Sequence, residues 1–154
     1  MVLQVKIVDG NPIKKGDILV SPFDDYKMGS STLFTEGIGP CLAIVLYDPT
    51  RKLGALAHIS GTNPRANEAV FPGYIVRSLV AELGVYQSLE AVVTGESQRK
   101  EKISDIVKRS LTFLTIPIIG DDLGDSGTHQ GRALSLDCQK GEVTIYRLPP
   151  LFQK

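Results

Sequence analysis

The sequence predicts a layered α+β fold, and three observations lead there. Strand-like apolar runs recur along most of the chain. Only two segments carry the periodicity of an amphipathic helix. No repeat, low-complexity tract or charged tail divides the chain. Many strands with two helices favour a layered arrangement over a doubly wound parallel sheet. At 154 residues the chain suits one domain spanning 1–154, long enough to bury a substantial core.

The elements follow in order. Val2 to Val8 alternates as a strand does, and Asp9-Gly10-Asn11-Pro12 reads as a turn. Ile18 to Val20 forms a second short strand. Ser21 to Ser31 is polar, with Pro22, Gly29 and paired aspartates, and reads as a loop. Cys41 to Tyr47 is a continuous apolar run suited to a strand buried on both faces. Asp48-Pro49-Thr50-Arg51 supplies turn chemistry, and Leu53 to Ile59 returns as the antiparallel partner.

Ile75, Val76, Leu79, Val80 and Leu83 make one helical stripe, closed by Gly84. Ile103, Ile106, Val107, Ser110, Leu111 and Leu114 make the other, which stops before Pro117. Leu89 to Val93, Ile116 to Ile119, Ala133 to Leu136 and Val143 to Leu148 complete the strands. Phe71-Pro72-Gly73-Tyr74 reads either as an exposed patch or as the buried start of a helix.

Bulk properties exclude several function classes. Basic and acidic residues number 17 each, so no net field favours nucleic acid or an anionic membrane. No apolar stretch is long enough to cross a bilayer, and the first residues lack the pattern of a secretory signal. The expected location is therefore the cytoplasm, where Cys41 and Cys138 stay reduced. No closely spaced set of cysteines and histidines suggests zinc, and no metal is expected.

The segment that carries chemistry is Thr35-Glu36-Gly37-Ile38-Gly39-Pro40-Cys41. Two glycines beside a cysteine at the mouth of a buried strand imply close backbone approach or unusual dihedrals. If Tyr47 pairs with Lys52, Cys41 falls directly opposite His58, on the same face of the sheet. A slip of one residue would set Ile59 there instead.

A thiol beside an imidazole has a mechanism available to it. An isolated thiol, with a pKa of about 8.5, is mostly protonated at neutral pH, and an adjacent imidazole accepts its proton. The thiolate attacks a carboxamide carbon and the imidazolium protonates the departing nitrogen. Thr35 is the nearest residue in sequence able to orient the imidazole. Other polar residues read blandly. His129 belongs to a solvated loop, Cys138 to a half-exposed hairpin tip, and Asp121-Asp122 to solvated charge.

At these residues the sequence resembles the chemoreceptor glutamine deamidase CheD family. The shared pattern is Thr35, the turn Gly37-Ile38-Gly39-Pro40-Cys41, the strand ending Tyr47-Asp48-Pro49, and Gly54-Ala55-Leu56-Ala57-His58. Ile116-Pro117-Ile118-Ile119-Gly120-Asp121-Asp122-Leu123-Gly124, Gly131-Arg132 and Gly141 to Leu148 extend it over most of the chain.

The resemblance implies a compact three-layer α/β/β sandwich, also found in the cytotoxic necrotizing factors. It implies a Cys–His–Thr site, with Cys41 as nucleophile, His58 as general base and acid, and Thr35 as orienting group. The implied reaction converts glutamine to glutamate on receptor signalling helices, with methyl-ester hydrolysis as a variant. No cofactor is expected. The implied partners are the receptor substrate and a CheC-like phosphatase.

Four departures from the family pattern bear on specificity. Pro40 replaces the serine or threonine that usually precedes the cysteine. Proline has no N–H, so position 40 cannot donate to an oxyanion, and losing one such donor costs about 10²–10³ in rate. Ile59 to Pro64 lacks the family's apolar character, and the first helix lacks its Tyr-Gly-Asp start. Asp121 to Gly131 reads as a longer loop. Two other readings stand beside the receptor deamidase: the same chemistry on a different protein, including a host target, and a catalytically silent binding module.

Overall fold

The structure is a computed structural model that describes residues 2–13, 15–21, 26–39, 41–59, 70–84, 88–95, 103–124 and 131–149. Strands β1 (Gln4–Asp9), β2 (Ile18–Leu19), β3 (Tyr26–Gly29), β4 (Thr32–Ile38), β5 (Leu42–Asp48) and β6 (Leu53–Ile59) precede helix α1 (Val70–Leu83). Then come β7 (Glu90–Gly95), helix α2 (Ile103–Phe113), β8 (Ile118–Leu123), β9 (Gly131–Asp137) and β10 (Glu142–Leu148).

These strands form two sheets of five. The outer sheet runs β1-β10-β9-β4-β2 and the middle sheet β3-β6-β5-β7-β8. Both helices lie against one face of the middle sheet, and the outer sheet covers the other. The molecule is thus an α+β, three-layer α/β/β sandwich.

Strand β5 shows how the sequence builds this arrangement. All seven of its residues are buried, as a strand covered on both sides requires. Leu42, Ile44 and Leu46 pack with Ile75, Leu79 and Leu83 of α1 and with Val107 and Leu111 of α2. Ala43, Val45 and Tyr47 point the other way, toward Leu33, Leu134, Leu136, Val143 and Ile145 of the outer sheet. The period-2 alternation therefore assigns each residue to one of two cores.

Helix α1 closes as the sequence indicates. Gly84 takes a φ of 80° and donates its amide to the Val80 carbonyl at 3.0 Å, a left-handed cap that glycine adopts without steric cost. The Arg51 guanidinium also donates to the Leu83 carbonyl. Within the first turn of α1, Pro72 and Gly73 are buried and Tyr74 is exposed, while the Phe71 side chain lies outside the described residues.

The structure corrects the sequence reading in four places. Tyr26–Gly29, inside the expected loop, is an edge strand on β6. Thr32–Ile38 is a full strand pairing with β9, obscured in sequence by its polar Thr35-Glu36-Gly37. Asp121 to Leu123, expected in a loop, continues β8 beside β7.

The fourth correction is the β5–β6 register. Asp48 pairs with Leu53 and Ala43 with His58, so Cys41 is not directly opposite the histidine. The turn fixes this. The Asp48 carboxylate accepts the amides of Thr50 at 2.9 Å and Arg51 at 3.3 Å, and Lys52 takes a φ of 52°. Those contacts make Asp48 the last strand residue and move the loop one position along. Burial alone would raise the Asp48 carboxyl, but hydrogen bonds from Arg51 and Thr50 hold it below the usual range. Ala43, not Cys41, thus faces His58, and Cys41 precedes the ladder as a bend, two residues before Ala43.

Candidate active site

The interior between the sheets is apolar along most of its length and turns polar at one end. From the middle sheet, His58, Ala43, Thr94 and Asp122 form one cross-strand row. From the outer sheet, Thr35 pairs with Leu134, and Ile38 and Arg147 flank Arg132. His58, Thr35, Thr94, Asp122 and Arg132 are all buried.

Thr35 and His58 meet across the two sheets. The Thr35 hydroxyl oxygen lies 2.7 Å from His58 Nδ1 and 2.7 Å from the Val20 carbonyl oxygen. A carbonyl only accepts, so the single hydroxyl proton goes to Val20. Thr35 must then accept from His58, whose Nδ1 carries the ring proton. The remaining nitrogen, Nε2, keeps its lone pair and is buried with no hydrogen-bond partner among the described residues. Burial pushes the imidazole down to about 4, so the ring is neutral at physiological pH and available as a base.

Cys41 sits at the start of β5, 8% exposed. Gly95 approaches it from β7: with a φ of 122° it lies opposite Leu42, and a side chain there would collide with the Cys41 carbonyl oxygen. Gly37, at the irregularity near the end of β4, has a φ of 73°, in keeping with the unusual dihedrals expected of that segment. Pro40 and His129 lie outside the described residues.

The other two bland readings are each corrected in one part. Cys138 is fully buried at the β9–β10 turn, where the Tyr47 hydroxyl donates to its carbonyl. Burial pushes its thiol up to about 12, and Asp137 adds to the shift, which leaves it unreactive. It is not half-exposed, because it fills the space beside Gly54.

Asp122 is not solvated charge either. Its carboxylate binds Arg132 Nε at 2.8 Å and Arg147 Nη2 at 2.6 Å. Burial would raise its carboxyl, but these two arginines hold it below the ordinary value. Only Asp121 behaves as expected, exposed and paired with Lys108. Reading the motif around Asp122 together with Gly131-Arg132 as one charge pair would have found this cluster.

No family model matches the chain. Among curated relatives, "Probable chemoreceptor glutamine deamidase CheD" of Desulforamulus reducens is 30% identical, over 79% of this chain and 85% of the relative. The protein of the same description from Moorella thermoacetica is also 30% identical, over 73% and 79%. Among solved structures, the hypothetical protein YfiH of Bacillus licheniformis aligns with a TM-score of 0.46 at 13% identity. That alignment covers 78% of this chain and 63% of the YfiH chain. The chain belongs to the CheD family.

Proposed function

We propose that the chain is a protein-glutamine deamidase in which Cys41 is the nucleophile, His58 the general base and acid, and Thr35 the group that orients the imidazole. The carrying observation is the tautomer of His58. Thr35 spends its proton on Val20, so the ring proton of His58 sits on Nδ1 and Nε2 is left as the basic nitrogen.

The steps follow from this arrangement. His58 Nε2 takes the thiol proton as Cys41 sulfur bonds to the carboxamide carbon. The imidazolium, held by Thr35 through Nδ1–H, returns that proton to the departing nitrogen, and ammonia leaves. Water then attacks the thioester while His58 accepts its proton. Collapse of that intermediate frees the glutamate carboxyl and restores the thiol. A methyl ester on the same side chain would follow this path with methanol as leaving group. The chemistry uses no cofactor.

The names carried by the relatives supply the substrate class: a glutamine side chain on a chemoreceptor. Receptor signalling helices and a CheC-like phosphatase are the partners in this reading, and the cytoplasm is the setting. No described helix is long and apolar enough to cross a membrane. We read residues 1–154 as one catalytic unit, because both sheets contribute to the site.

The test is ammonia release from a glutamine-bearing receptor signalling fragment, with mass analysis of the fragment. Wild type should release ammonia, and Cys41→Ala should lower the rate by at least about 10⁴-fold, the scale of losing a covalent nucleophile. Equal release by both proteins would eliminate Cys41 as the nucleophile. No release by either would turn attention to a non-receptor protein substrate.

A further inference from the structure

Two polar links join the outer and middle sheets at the site's end of the interior. One is Thr35 to His58. The other is Asp122 on β8, gripping Arg132 on β9 and Arg147 on β10. They are tied together through Thr94, which is fully buried between Ala43 and Asp122 and donates to the Asp122 carbonyl at 2.8 Å.

A second path runs from the ion pair to the nucleophile through backbone. Arg132 Nη2 donates to the Gly124 carbonyl at 2.6 Å, and the Gly124 amide donates to the Gly95 carbonyl at 2.9 Å. Gly95 in turn is the residue wedged against the Cys41 carbonyl. One carboxylate therefore reaches both halves of the site: the sheet spacing that the Thr35–His58 bond needs, and the strand end that presents Cys41.

We propose that Asp122, through Arg132, is the positioning residue of this site, holding the two sheets and the Gly95–Gly124 backbone so that Cys41 stays within reach of His58 Nε2. Asp122 touches no reacting atom. Its contribution is geometric, and a displacement of about 1 Å at a reacting pair costs on the order of 10²-fold in rate. The proposal rests on the Cys41–His58 reading of the site.

The test needs no substrate. Alkylation of Cys41 by iodoacetamide, followed by peptide mass analysis, is measured for wild type, His58→Ala, Asp122→Asn and the double variant. In the wild-type background, removing His58 should slow alkylation about tenfold or more. In the Asp122→Asn background the same removal should matter less than about threefold, because the pair is already separated. Leu111→Ala, buried against the helices far from this row, serves as a control for general loss of stability and should keep the full His58 dependence.

An undiminished His58 effect in Asp122→Asn overturns the proposal, as does an equal loss of the effect in Leu111→Ala. No His58 effect in wild type overturns the Cys41–His58 pairing itself and the positioning role with it, a pattern distinct from the other two. Should Asp122→Asn fail to fold, Thr94→Val removes only the link between the two paths. It should weaken the His58 effect in the same direction, and an unchanged effect there also overturns the proposal.

Discussion

The two faces of the middle sheet solve different problems. Its helix side is apolar throughout, with Leu42, Ile44, Leu46, Ala55, Ala57, Ala91 and Val93 meeting both helices. Its other side starts as an equally apolar layer and ends in His58, Thr94 and Asp122. Burial of area is enough to stabilise the first face. The second must satisfy buried polar atoms individually. Thr35 with His58 and Asp122 with Arg132 do so across the sheets, while His58 Nε2 and Arg132 Nη1 have no hydrogen-bond partner among the described residues. Stability and chemistry are thus assigned to opposite sides of the same strands, and alternate residues can be changed for one with little effect on the other.

The largest test of this division is Leu79→Ala. Leu79 is fully buried in the helix-side core, so its truncation should lower unfolding free energy by about 2–5 kcal/mol in a denaturant titration. Activity per folded molecule should stay at the wild-type level. A fall in activity matching the stability loss would show that the two faces are not separable.

Acid titration sharpens the comparison from the polar side. His58 ionises at about 4 in the fold against an ordinary 6.5. Above 6.5 the ring is neutral in both folded and unfolded chains, and stability is unaffected. As the pH falls toward 4, only the unfolded chain gains the proton, so stability declines by up to about 3 kcal/mol. Denaturant titrations at several pH values should show this decline in wild type and lack that part of it in His58→Gln. An identical decline in both would assign it to other groups.

The smallest effect concerns the orienting hydroxyl. Thr35→Val keeps the shape but removes the acceptor for His58 Nδ1–H, and kcat should fall about tenfold to a hundredfold. Thr35→Ser keeps the oxygen and should restore most of the rate. Equal loss in both variants would assign the effect to packing of the threonine methyl.

Much of this was legible in the sequence. The Cys41–Tyr47 run, the two helical stripes and the Gly84 stop each follow a single rule of periodicity or backbone sterics. The β5–β6 hairpin was readable too, but its register was not: the Asp48 turn sets Ala43, not Cys41, opposite His58. The partner of Thr35 was not. Val20 reaches it from just after β2 only because the outer sheet brings distant segments together. Asp122 escaped for a related reason: a carboxylate looks solvated until the arginines that bury it, Arg132 and Arg147, are placed on neighbouring strands.

The outer sheet also sets when the candidate site comes together. Residues 4–9 lie in parallel beside residues 142–147, and β4 takes β9 as its long partner. Such sequence separations are slow to close, because loop entropy is spent before any contact rewards it. Cys41 and His58 belong to a local hairpin that can form early in synthesis. Thr35 gains its fixed place only when β9 arrives, and Asp122 only when both arginines have emerged. A partly translated chain thus carries Cys41 and His58 before Thr35 and Asp122 are in place, and the candidate site is completed among the last events of folding.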